Sequence, residues 1–240
     1  MRAIIVDDEL KSREVLKTLV ENFCEGVEVI RMCEDIEDSI EAITSLEPDL
    51  LFLDIHLKNG DSFQILKALP SMHFDIIFCT AYDEYTVKAL KFSGITCLFK
   101  PIDITELQDS IASIRDRHID MQVAYEMANG LLKSKFRKIP VVTSSGLQFT
   151  SVEDVVYLEQ LEEGVLIHLK NNESMKSVRT LDQFLDIILS KDFIRLDDQY
   201  IVNQQWIDLK RSGSSRLHFN NGEFVDVEKG RLYGVLKGLG

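Results

Sequence analysis

LLFLDIHL, residues 50–57, sets four consecutive large apolar residues against an acid, Asp54. A strand that apolar leaves no face for water, so it belongs in a sheet covered on both sides, the setting of parallel α/β sheets. The same pattern extends outward in both directions. Upstream, residues 3–6 read as a strand ending on Asp7, Asp8 and Glu9. Residues 10–23 read as a helix with Val15, Leu16, Leu19, Val20 and Phe23 at helical spacing. Residues 27–31 follow as a strand and 36–46 as a helix stopped by Glu47-Pro48. Downstream come a helix at 63–69, an apolar strand at 76–79 leading to Thr80, and a helix at 85–92. A strand at 95–99 then leads to Lys100, and a long amphipathic helix covers 104–119. Five strand-then-helix units predict a five-stranded parallel sheet with helices on both faces.

The chain has 240 residues, 45% apolar and 28% charged, which suits two globular domains and excludes disorder. No apolar run approaches the ~20 residues of a membrane helix. The opening MRAIIVDDEL has acids where a signal peptide needs a basic-then-apolar pattern, so a cytoplasmic location is expected. The net charge of -13 is unevenly spread: residues 1–130 hold 12 basic and 25 acidic side chains, residues 131–240 hold 15 of each. The neutral second half has no general attraction for nucleic acid, so DNA binding there must come from local features. Cys24, Cys33, Cys79 and Cys97 have neither CxxC nor Cys/His ligand spacing, which predicts reduced thiols rather than a zinc site.

The stretch 121–137 contains Asn129-Gly130 and then a basic cluster, and reads as a helix tail and linker between a first domain at 1–120 and a second at 138–240. Beyond it the period changes to two. Strands are expected at 140–143, 147–150, 155–160 and 165–169, with turns at Ser145-Gly146 and Glu163-Gly164. One helix is expected at 181–189, then strands at 193–196, 200–202, 217–219 and 223–227. The last two are joined by Asn220-Asn221-Gly222, and a short helix follows at 232–236. The second domain is thus mostly β.

In a parallel sheet the strand ends share one edge, so Asp7, Asp8 and Glu9 converge with Asp54. Carboxylates packed together repel unless a cation joins them, and a hard divalent ion with oxygen ligands, Mg²⁺, is the natural fit. Beside such an ion Asp54 suits a phosphoryl nucleophile. The Thr80 hydroxyl and Lys100 ammonium would hold the phosphoryl oxygens, and the small Ala81 leaves room for a donor.

The segments IIVDDE, LLFLDIHL, IIFCTAYDEY and CLFKPI resemble the receiver domain of two-component response regulators, over residues 1 to about 120. The resemblance implies a flavodoxin-like fold and a sensor histidine kinase that delivers its phosphoryl group to Asp54. It also implies Mg²⁺ on Asp8 and Asp54 directly, on Asp7 through water and on the backbone carbonyl of His56, and a cis bond before Pro101. No catalysis beyond self-phosphorylation and autodephosphorylation at Asp54 is expected. Receivers usually carry Tyr or Phe three residues before the lysine, where this chain has Cys97. A thiol does not report motion by the same swing, so a damped or differently routed switch is expected. The bulky His56 and Tyr82 are expected to shield the acyl phosphate from water. A haloacid-dehalogenase-type phosphatase, which also pairs an aspartate nucleophile with Mg²⁺, is a remote alternative; it needs Asp-x-Asp after the first strand, where Glu9 stands two residues after Asp7.

DFIRLDDQYIVNQQWI and VDVEKGRLYGVL resemble the LytTR DNA-binding domain over residues 138–240. That resemblance implies a transcription regulator that contacts DNA through loops and works as a homodimer when phosphorylated; in this chain Arg195, Asn203, Lys229 and Arg231 are the expected contacts, with Lys210, Arg211 and Arg216 as further phosphate partners. The mixed charges of Glu84, Lys88, Lys91, Glu106, Asp109, Arg115, Asp116 and Arg117 suit a self-complementary contact. Asp197, Asp198 and Glu228 stand where the family has His, a basic residue or Asn, and Ser, so DNA binding is expected to be weakened. The alternative is a phospho-receiver whose second domain is a protein-interaction output.

Overall fold

The computed structural model describes residues 1–81, 84–115, 119–143, 146–188, 191–213 and 215–227. The chain divides into two compact units, Met1–Asn129 and Gly130–Gly240.

In the first unit, β1 (Arg2–Val6), α1 (Leu10–Phe23), β2 (Glu28–Cys33), α2 (Ile36–Leu46) and β3 (Leu50–Leu53) lead to a small ribbon, β4 (His56–Leu57) with β5 (Gly60–Asp61). Then come α3 (Phe63–Ala68), β6 (Asp75–Thr80), α4 (Glu84–Ser93), β7 (Thr96–Phe99) and α5 (Ile104–Arg115). The sheet order is β2-β1-β3-β6-β7, every pairing parallel. This is the doubly wound order in which the chain reverses direction across the sheet at β1 and β3. Alternate strand residues serve opposite faces. Ile4, Val6, Leu51, Leu53, Ile76 and Phe78 sit in one core, and Ala3, Ile5, Leu50, Phe52, Ile77 and Cys79 in the other. That two-sided burial is why β3 tolerates no polar residue. At the start of α2 the Asp35 carboxylate accepts the Asp38 N–H at 2.9 Å, a side-chain N-cap. The helix expected over 104–119 is described as far as Arg115.

Where the sequence predicts a helix tail and linker, α6 runs over Met121–Lys133. Its residues Met121, Ala124, Tyr125 and Ala128 have i, i+3, i+4, i+7 spacing and belong to the first unit's core. Gly130 lies inside this helix. Its missing side chain has a use: a Cβ there would lie 2.2 Å from the Phe149 ring.

The second unit opens with a hairpin of β8 (Lys138–Thr143) and β9 (Gly146–Ser151). An antiparallel sheet follows, built from β10 (Val155–Gln160), β11 (Val165–Leu169), β12 (Ser174–Ser177), β13 (Phe193–Arg195) and β14 (Tyr200–Asn203) in the order β12-β11-β10-β14-β13. Between β12 and β13 lies α7 (Leu181–Ile187), begun by a reciprocal capping box of Thr180 and Gln183. A second hairpin pairs β15 (Arg216–His218) with β16 (Phe224–Asp226). Strand β12 has no sequence signal, because Ser-Met-Lys-Ser lacks an apolar alternation. The turn between β10 and β11 needs its glycine: Gly164 has φ +80°, and a Cβ there would lie 2.0 Å from the Ser177 carbonyl oxygen. The helix expected at 232–236 lies outside the described residues.

Candidate functional site

The register of the parallel sheet assembles the acidic site. Val6 faces Leu53 across β1 and β3, so the residues that follow them, Asp7 and Asp54, leave the sheet side by side, and the Asp54 N–H bonds the Val6 carbonyl at 2.8 Å. Thr80 faces Phe99 across β6 and β7, and the Lys100 N–H bonds the Thr80 carbonyl at 3.0 Å. Asp7, Asp8 and Asp54 each place a carboxylate oxygen within 4.8 Å of the others. The structure thus brings together Asp7, Asp8, Asp54, Thr80 and Lys100, with Ala81 exposed at the end of β6.

Asp7 is only 3% exposed, so its charge needs partners. Its Oδ1 accepts the Glu9 N–H at 2.9 Å, and its Oδ2 accepts from the Lys100 ammonium. The same ammonium bonds Asp54 Oδ2, while Asp54 Oδ1 accepts the His56 N–H at 3.3 Å. Burial works against the Lys100 charge, but the bonds to Asp54 and Asp7 outweigh it and hold the ammonium above its ordinary value. One ammonium against three carboxylates leaves the cluster strongly negative. An all-oxygen donor set with surplus negative charge fits a hard divalent cation, so these residues suit Mg²⁺.

Arg13 is a member of this site that the sequence reading missed. It is buried on α1 with Leu16 and Val20, and its guanidinium donates to the Asp7 backbone carbonyl and pairs with Glu34 at 3.6 Å. The available signal was an arginine phased with the apolar stripe of a helix. The bond between Lys100 and Pro101 is cis. Cys97 is part-buried against the first unit's core, and burial pushes its thiol up to about 11. Tyr82 lies outside the described residues.

In the second unit Asn203, expected at a DNA contact, is buried in the structure. Asn203 is 2% exposed; its Nδ2 donates to the Val155 carbonyl at 3.0 Å and its Oδ1 accepts the Gln205 N–H at 3.1 Å. Both ends of the amide are thus engaged inside the fold. Arg195 is at the surface and each of its three nitrogens is bonded within the fold: Nη1 to Asp182, Nη2 to Asp198 at 3.4 Å and Nε to the Asp197 carbonyl at 3.0 Å. Asp197 also has a local role, because its Oδ1 accepts the N–H groups of Gln199 and Tyr200 at 2.8 and 2.9 Å. Other cations are paired similarly, Lys170 with Asp154 at 2.6 Å and Arg216 with Asp226 at 2.8 Å. Glu228, Lys229 and Arg231 lie outside the described residues.

Comparison with known proteins gives two family matches. The response regulator receiver domain matches residues 3–112, and the LytTr DNA-binding domain matches residues 145–237. The chain is 28% identical to the transcriptional regulatory protein BtsR of Escherichia coli, over 100% of this chain and 99% of BtsR. It is 25% identical to the sensory transduction protein LytT of Bacillus cereus, over 85% of this chain and 83% of that one. Among solved structures, a LytTr DNA-binding domain from Bacillus cereus is 23% identical, with a TM-score of 0.38, over 43% of this chain and 97% of that domain.

Proposed function

The chain belongs to the response regulators that join a receiver domain to a LytTR DNA-binding domain, and we propose that Asp54 is the residue through which it accepts its phosphoryl group. The observation that carries this reading is the convergence of three carboxylates with Lys100 at the carboxyl edge of the sheet. The partners are a sensor histidine kinase and DNA. One Asp54 oxygen attacks phosphorus, a P–O bond forms as the P–N bond of the phosphohistidine breaks, and the imidazole leaves with the electron pair, taking a proton from solvent. Asp7, Asp8 and Asp54, with the His56 backbone carbonyl, are the residues that would hold Mg²⁺. When bound, the ion supplies neutralisation of the charge that builds on the phosphoryl oxygens. Lys100 and the Thr80 hydroxyl hold those oxygens, and Ala81 leaves the approach open.

Incubating purified protein with acetyl phosphate and Mg²⁺ tests this: wild type gains one phosphoryl group by intact mass and Asp54→Ala gains none. Phosphorylation of Asp54→Ala to the wild-type extent contradicts it.

Phosphorylation is taken to promote a homodimer through the mixed-charge surface of α4 and α5, with DNA bound by the second unit. The ion pairs on Arg195, Lys170 and Arg216 favour a second reading, a protein-interaction output, because each paired cation must exchange an acid for a phosphate to bind DNA. Fluorescence anisotropy with DNA upstream of its own gene, at low and moderate salt, separates the two. No helix among the described residues is long and apolar enough to cross a membrane, and a cytoplasmic location accords with that.

A further inference from the structure

Two paths leave the acidic site, and both end on Phe63. The first starts at Asp54, whose Oδ1 takes the His56 N–H at 3.3 Å. The loop from there closes when the Ser62 N–H bonds the Ile55 carbonyl at 2.9 Å, which delivers Phe63 as the first residue of α3. The second starts at Thr80. Two residues earlier on β6, the fully buried Phe78 stacks on the Phe63 ring, with centroids 5.6 Å apart and planes 20° apart. Cys97, the partner of Phe78 across β6 and β7, adds no ring to this path.

Phe63 also meets α6. The Tyr125 ring lies 6.1 Å from it, centroid to centroid, and the Tyr125 hydroxyl donates to the Phe63 carbonyl at 3.4 Å. Asn129 Nδ2 donates to the same hydroxyl at 3.4 Å. Beside Tyr125, the small Ala124 and Ala128 are buried and let the helix backbone come close to the core. Helix α6 is the segment that crosses the division between Asn129 and Gly130.

We propose that α6 is a latch, docked through Tyr125 on Phe63 while Asp54 is unmodified and loosened when Asp54 is phosphorylated. The inference rests on the reading of Asp54 as the phospho-acceptor. A phosphoryl group on Asp54 displaces the oxygens that now bond Lys100 and the His56 N–H, and it draws the Thr80 hydroxyl. Both ends of the Phe63 contact are disturbed together. A close-packed aromatic stack changes by switching between arrangements rather than by gradual deformation, which makes it a two-state element biased by the site.

Hydrogen–deuterium exchange on the full chain, with and without acetyl phosphate and Mg²⁺, tests the latch, and intact mass on the same samples gives the occupancy of Asp54. Amides of residues 121–129 are expected to exchange about fivefold faster or more when Asp54 is phosphorylated. Unchanged exchange there at full occupancy overturns the latch and leaves the acceptor reading standing. No mass gain at Asp54 overturns both. In Tyr125→Leu the same amides are expected to exchange fast in either state while the sheet stays protected. Slow exchange in that variant, with the response to phosphorylation intact, also overturns it.

Discussion

Lys100 holds Asp7 and Asp54 together: one ammonium bonds an oxygen of each, across a gap between β1 and β3 that would otherwise set two largely buried carboxylates against each other. The lysine therefore does part of a metal ion's work in the unmodified site.

From this follows the response of Lys100→Ala. Without the ammonium, Asp7 and Asp54 face each other and Asp8 uncompensated, and the variant is expected to be about 1–3 kcal/mol less stable. Because Mg²⁺ relieves the same repulsion, it should raise the thermal midpoint of the variant more than that of wild type. Equal gains in the two proteins by calorimetry would show that the carboxylates and the ion are not coupled through this site.

The alkaline limb of stability has a definite sign. Burial pushes the Cys33 thiol up to about 12 and the Cys97 thiol up to about 11, from 9.0, and Lys100 is also raised. In each case the folded state holds the proton more tightly than the unfolded chain. Their contribution is complete below the unfolded values and is lost as pH rises through the folded ones. Urea midpoints should fall progressively from about pH 9 upward, and Cys33→Ala should flatten that fall. A midpoint that rises over this window would contradict the assignment.

Gly130→Ala sets two effects against each other. Alanine favours a helix over glycine by about 1 kcal/mol. The added methyl would stand 2.2 Å from the Phe149 ring, and overpacking of this kind costs about 1–3 kcal/mol. Net destabilisation is expected by chemical denaturation, and Phe149→Leu in the same chain should recover part of it. A stabilised Gly130→Ala protein would mean that the ring moves aside freely.

Asn203→Ala distinguishes a structural amide from a DNA contact. Removing it leaves the Val155 carbonyl and the Gln205 N–H without their partner, at about 1–3 kcal/mol. The expected result is a lower unfolding midpoint, with DNA affinity unchanged at temperatures where the variant stays folded. Weaker DNA binding at full stability would restore Asn203 to the contact surface.

Strand patterns carried the first unit well, because β3 and the middle of β6, residues 76–79, are buried on both faces and hold only apolar side chains. The apolar runs of β1 and β3 break off at Asp7 and Asp54, so the cluster of carboxylates at that edge was legible in the same pattern. The segment 121–133 was not. Asn129-Gly130 is a turn signal, and only the packing of Phe149 on Gly130 explains a glycine inside a helix. The polar β12 is held by pairing with β11, which local sequence does not encode. The burial of Asn203 is not legible locally, because one sequence does not separate a buried amide from an exposed one. Arg13 was overlooked because an arginine on a helix is ordinarily a surface residue.

The most direct test is intact mass spectrometry of the full chain after acetyl phosphate and Mg²⁺, followed by peptide mapping of the modified side chain. The account predicts a single added phosphoryl group, on Asp54, that is absent when Mg²⁺ is chelated. A phosphoryl group on another residue, or one that forms equally without Mg²⁺, would contradict it.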